Sequence, residues 1–292
     1  MDGDDANEGI PLSEDDFPPR YEPDLQSLKT DDGFGEAAFE LLKETGMTLV
    51  YLVGRIPDMP YQRNESIRRG LIKRLMLLGK SLLSDVAHNS GYQQLQITRQ
   101  IAETAANYFY LAQDDGSEER YDAYINQALA EEKHNLGVVA GEIKERGGDP
   151  LPIEERMRRS IERMASAAGV DFEAVPKTRD SGWPGAFDRL SAMSPTAYPA
   201  YRAGSSALHA GWSALLLQDL EEVEGGFSLN AQVEPRPQPL TMAGMLLTEA
   251  AIYYLEEDGD DAERQLFLGR LTDLSERVRS LDEAHERFQQ SI

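Results

Sequence analysis

A chain of 292 residues with 40% hydrophobic side chains is long and apolar enough to bury a real core, as one large domain or two smaller ones. The formal net charge of −23 opposes unaided binding to polyphosphate, although so acidic a protein can still carry a local basic groove. The absence of cysteine excludes disulfides, thiolate zinc sites and cysteine nucleophiles, and no apolar run is long enough for a membrane span, so the chain reads as soluble, cytoplasmic and without a membrane partner.

Met1–Asp32 holds eleven acids against Arg20 and Lys29 and has almost no apolar periodicity, which predicts a disordered acidic arm over residues 1–32. A first helix is expected over Phe34–Ile56, closed by Pro57 and Pro60. A second, Tyr61–Ala87, buries Ile67, Leu71, Leu75, Leu78 and Leu82 at steps of three and four. Its other side carries Arg63, Arg68, Arg69, Lys73, Arg74 and Lys80, either a solvated face paired with nearby acids or a stripe for RNA. Helices follow over Tyr92–Gln113 and Glu118–Arg146, with turns at 89–91 and 114–117 and a firm stop at Gly147-Gly148-Asp149-Pro150. A charged helix over Ile153–Ala168 leads into irregular chain around Trp183, then a brief helix over Ala186–Met193, with 194–196 leading into the next.

Tyr198–Leu220 is the stretch on which the rest is centred. On a continuous helix Tyr201, Ser205, Leu208, His209, Trp212 and Leu216 would share one broad face, with Arg202 two turns before His209 and about 20° round the cylinder. Gly225–Pro239 reads as loop, and two closing helices are expected over Leu240–Leu255 and Asp261–Gln290. No alternating strand or hairpin pattern is present. The fold class is therefore all-α, an irregular bundle of about eight to nine helices, with a single helical domain over 33–292 behind the arm.

Three groups could carry chemistry. Arg99 and Glu103 lie one turn apart in an otherwise apolar helix, where a buried guanidinium needs a carboxylate or a bound anion; the pair either fixes helix register or lines a polar pocket. Tyr201-x3-Ser205-x3-His209 sets three polar tips along one face, and His209 is either a hydrogen-bonded core histidine or a proton carrier. Glu131-x-x-His134 has the spacing of ferritin-like metal bundles, with Glu103 as a further oxygen and Asp85-x-x-His88 as an approximate second pair; the alternative is an ordinary solvated run.

Arg99-x3-Glu103 followed, about a hundred residues on, by Tyr201-x3-Ser205-x3-His209 resembles a bacterial helical family without an assigned function, the domain-of-unknown-function family number five-six-seven-seven. The resemblance covers roughly Leu71–Leu220, with the Trp183 region, and implies a mainly helical fold and a shared polar site of Arg99, Glu103, Tyr201, Ser205 and His209. Arg202-x6-His209 is similar to the Arg-x4–6-His motif of the HEPN (higher eukaryotes and prokaryotes nucleotide-binding) superfamily, and Arg279-x5-His285 matches it too. That second resemblance implies metal-independent RNA cleavage at a dimer interface, His209 moving the proton of a ribose 2′-hydroxyl and Arg202 stabilising charge on the phosphate. For a binding or interaction module, family analogy implies a bacterial stress or phage-defence setting. The sequence thus favours a helical binding or interaction protein with a buried polar site, acting on an unknown protein partner or a second copy, with no cofactor. A HEPN-type ribonuclease and a ferritin-like metal-binding bundle are the alternatives, and whether the chain is an enzyme stays open.

Overall fold

The structure, a computed structural model, describes residues 13–89, 91–113, 117–193, 197–209, 211–230, 234–257 and 262–291. The arm's first twelve residues, with four of its eleven acids, and most of the turns expected at 114–117 and 194–196, lie outside the described residues. The helices are α1 (Asp31–Gly54), α2 (Arg63–Asn89), α3 (Gln94–Ala112), α4 (Glu118–Glu145), α5 (Pro152–Ala167), α6 (Ala186–Met193), α7 (Ala197–Leu208), the single turn α8 (Trp212–Ala214), α9 (Pro237–Glu257) and α10 (Ala262–Gln289). An all-helical multi-helix bundle is what the periodicity of the sequence called for. Between α8 and α9 the chain forms a π-turn (Leu215–Asp219) and a small hairpin of β1 (Leu220–Val223) and β2 (Gly226–Leu229).

The chain packs as two compact units. The first comprises residues 13–60, 69–109 and 190–291. Here α1, α9 and α10 pack on one another, burying Leu41, Leu42, Leu49, Leu247, Leu271 and Leu274 almost completely. Each such side chain contributes about 1.5–3 kcal/mol relative to exposure. Thr30 starts α1 by accepting a hydrogen bond from the Gly33 amide at 3.1 Å, and Asp31 and Asp32 sit in the first turn, where the helix dipole favours them. The second unit comprises residues 61–68 and 110–189, with Leu129, Ala130, Ala165 and Val175 at its core. Gly147 and Gly148, at φ 91° and 94°, end α4 in a left-handed conformation open to glycine, and Pro152 opens α5 with a preset φ.

Two expectations need correction. The acidic arm does not stay loose over all its length: Phe17 and Pro18 are buried, and Phe17 sets its ring edge-on to Phe267, with centroids 5.1 Å apart. One aromatic ring and the bare backbone around it suffice to seat the segment, and neither produces a periodic signal. The helix expected over Tyr198–Leu220 stops at Leu208. The Gly211 amide reaches back five residues to the Ser206 carbonyl, which ends a helix, and the Ser206 and Ser213 hydroxyls meet at 2.6 Å across the break. Downstream, Gly225 at φ 88° supplies the tight turn that pairs Leu220 with Leu229 and Val223 with Gly226, in a stretch expected as helix and loop.

Candidate functional site

Arg99 lies on α3 with 18% of its side chain exposed, among the buried Ile97, Ile101 and Ala102. Water cannot satisfy such a guanidinium in full, so its donors need partners. They come from α7, which meets α3 over one turn. Arg99 Nε donates to Ser205 Oγ at 2.9 Å, and Nη2 donates to the Tyr201 hydroxyl at 3.1 Å. The guanidinium carbon also stands 4.6 Å from the Tyr201 ring centre, in cation–π range. The Ser205 hydroxyl in turn donates a hydrogen bond to the Tyr201 carbonyl at 3.0 Å. Glu103 stands at 3.8 Å from Arg99 Nη2, too long for a hydrogen bond, and is 37% exposed. The arrangement binds charge and holds two helices. It does not activate a nucleophile, because the Ser205 proton goes to a backbone carbonyl.

Sequence reasoning missed what lets the helices approach. Gly204 is buried, and a Cβ there would fall 2.5 Å from Arg99 Cβ and closer still to the Leu95 carbonyl oxygen. The Ala203-Gly204-Ser205 run of small residues is the signal that could have shown it. Beyond α7 the π-turn is pinned on the start of α3: Gln218, buried, donates to the Tyr92 carbonyl at 2.9 Å, and the Tyr92 hydroxyl donates to Asp219 at 3.0 Å. The Asp219 carboxylate, first through this hydrogen bond and then through its charge, holds the Tyr92 hydroxyl's pKa above the ordinary tyrosine value.

The other expected residues fall elsewhere. Arg202 and His209 are both exposed, and among the described residues no side-chain hydrogen bond joins either to the Arg99 cluster. His209 therefore does not share the half-buried face of Tyr201 and Ser205: α7 ends just before it. Of the second Arg/His match, Arg279 is exposed and 3.5 Å from Glu249, whereas His285 is buried and bonded to Asp31 at 2.7 Å. Glu131 accepts from Gln127 at 2.6 Å, and His134 is exposed on the same helix. Asp85 caps the entry to α3 by accepting from the Gln93 amide at 2.8 Å, and His88 bonds the Ser84 carbonyl at 2.9 Å. Among the described residues no three potential ligands are grouped to hold a metal ion. On the expected basic stripe, Arg63 pairs with Glu118 and Asp122 and Arg69 donates to Tyr254, while Lys73, Arg74 and Lys80 are exposed. Trp183 packs between Tyr110 and Tyr124 with the Arg189 guanidinium over its ring.

These features define a mainly helical protein in which a polar contact, built by residues about a hundred positions apart, ties two helices together. Among the described residues no helix is long and apolar enough to cross a membrane. The chain belongs to the family of unknown function DUF5677, which matches residues 65–227, more than half of its length. The match takes in Arg99, Glu103, Tyr201, Ser205 and the hairpin's first strand; α9 and α10 lie beyond it. No curated protein and no solved structure matches the chain.

Proposed function

We propose that this protein is an interaction module that pairs with a second copy of itself through the hairpin, and that the Arg99 cluster holds α7 so that this surface is presented in one geometry. The observation that carries the reading is the uncharged edge of β2 beside a concentration of exposed apolar side chains. Leu208, Trp212, Phe227 and Leu229 are 52%, 58%, 51% and 81% exposed, and Trp212 stands edge-on to Phe227 at 5.5 Å. Scattered exposed hydrophobics are ordinary, but this density within 22 residues supports an interaction surface. The two strands differ: β1 presents Glu221 and Glu222, which deter further pairing, whereas Gly226-Phe227-Ser228-Leu229 carries no charge and its outer side is unpaired among the described residues. Two copies of a protein at −23 repel, so a neutral strip is where they can meet. Strand addition there would join β2 to β2 of the second copy through main-chain bonds.

Sedimentation equilibrium of the full chain and of the Phe227→Asp/Leu229→Asp variant tests this. A dimer for the native chain and a monomer of unchanged helical circular dichroism for the variant is expected. A native chain that stays monomeric at high micromolar concentration sinks the reading.

A second reading, a metal-independent ribonuclease, is favoured by the exposure of both Arg202 and His209, which leaves them within reach of a phosphodiester. It requires RNA cleavage by the native chain that disappears in His209→Ala; cleavage persisting in that variant removes it.

A further inference from the structure

In the second unit a cleft of about 690 Å³ lies between α4 and the segment 175–179. Its size is that of a site for a small organic molecule. Lys133, His134, Lys177 and Arg179 line it, with Ala130 and Pro176 among the apolar lining, and no acid does among the described residues. In a chain of net charge −23, three cations around one concavity, with a histidine beside them, favour an anion there.

The bases are not interchangeable. The Lys133 ammonium donates to the carbonyls of Phe172, Glu173 and Val175 at 3.2, 2.8 and 3.3 Å, which ties the segment to α4. Those carbonyls use its three donors and leave its charge unneutralised, because none of them is a carboxylate. Lys133 therefore supplies field, not a direct bond. Lys177 and Arg179, both exposed at the mouth, are the groups that can close on a ligand. Arg179, 79% exposed, stands 3.5 Å from Asp180, itself 58% exposed, an ion pair weak enough to exchange for another anion. The apolar part of the lining, continuous with the core at Ala130 and Val175, would accept a hydrocarbon or aromatic body.

From this arrangement we propose that the cleft binds a small organic anion, an apolar body carrying a carboxylate or phosphate head, with the head at Lys177 and Arg179 and the body against Ala130 and Pro176. This site is separate in residues and in chemistry from the hairpin and from the Arg99 cluster.

Calorimetric titration of the full chain with phenyl phosphate, with benzoate and with neutral benzyl alcohol tests the proposal and separates the two possible heads. Saturable binding of at least one anion, none of the alcohol, and a tenfold or greater loss in Lys177→Glu/Arg179→Glu is the expected result, with Lys73→Glu, on another helix, binding as the native chain does. Should the double variant unfold, Lys177→Gln alone carries the comparison, with a severalfold loss expected. No binding of either anion at millimolar concentration, or equal binding by the native chain and the cleft variants, overturns the proposal.

Discussion

Two charged clusters in the first unit solve the same problem in opposite ways. Each ties a segment to a helix far away in sequence. Around Glu44 the carboxylate and its two guanidiniums are sealed: the carboxylate is 2% exposed and meets Arg270 Nη2 at 2.5 Å and Arg277 at 2.8 Å, while its Oε2 also accepts from the Tyr21 amide at 3.0 Å. Arg270 donates to the Pro18 carbonyl and Arg277 to that of Tyr21 at 2.6 Å, so the early chain is laced to α10. Burial works against the charge of both guanidiniums. At Arg270 it prevails over the attraction of Glu44 and lowers the pKa; at Arg277 the hydrogen bonds to Glu44 and Asp273 outweigh it and raise the pKa. Around Arg99 the cation is met mainly by hydroxyls, and its carboxylate stands off at 3.8 Å in partial contact with water. A sealed network resists exchange of any member. A half-open one can trade a partner, which suits a segment that presents a binding surface.

The contrast can be broken at its strongest point first. Glu44→Gln removes the carboxylate paired with the buried Arg270 and leaves Arg277 with Asp273 alone, and should cost about 3–5 kcal/mol in urea unfolding. It should also open residues 17–21 to limited proteolysis; a loss under about 1 kcal/mol would mean the cluster is not sealed as described. Gly204→Ala forces α7 off the Leu95 carbonyl and should cost about 1–3 kcal/mol. Cleavage should then appear near the end of α7 and leave residues 17–21 protected; equal protection of both regions in the variant would erase the distinction between them. The smallest effect is a pH dependence. The folded Tyr92 pKa lies above its unfolded value, so its bond to Asp219 stabilises the neutral form: the contribution is whole below the ordinary tyrosine pKa and is lost as pH rises through the folded one. Asp219→Asn should bring Tyr92 ionisation, followed by ultraviolet absorbance, back down towards the ordinary value, and an unmoved titration would show that the π-turn is held by Gln218 alone.

Much of this was legible in the residues. Apolar steps of three and four located the long helices, and Gly147-Gly148 marked the end of α4, because those signals are local. Arg99 announced a need for partners by sitting in an apolar helix, and Tyr201 and Ser205 supplied hydroxyls at matching spacing. The break at Leu208 was hidden because Leu208, Trp212 and Leu216 keep a helical spacing while being exposed; periodicity reports spacing and not what covers it. Glu44, Arg270 and Arg277 carried no sequence signal of one another, since nothing local to any of them reveals a partner more than two hundred residues away. The basic cleft escaped notice for the same reason: Lys133 and Lys177 are ordinary lysines until the chain folds them towards one hollow.

The lacing of the early chain carries a mechanical consequence. Phe17, Pro18, Tyr21 and Asp31 meet Phe267, Arg270, Arg277 and His285 in the same order, so the two segments run side by side in one direction. Stretching the molecule between its two ends would draw them past each other lengthwise. The fastenings would then share the load and yield together, as in a lap joint, instead of parting one by one like a zip.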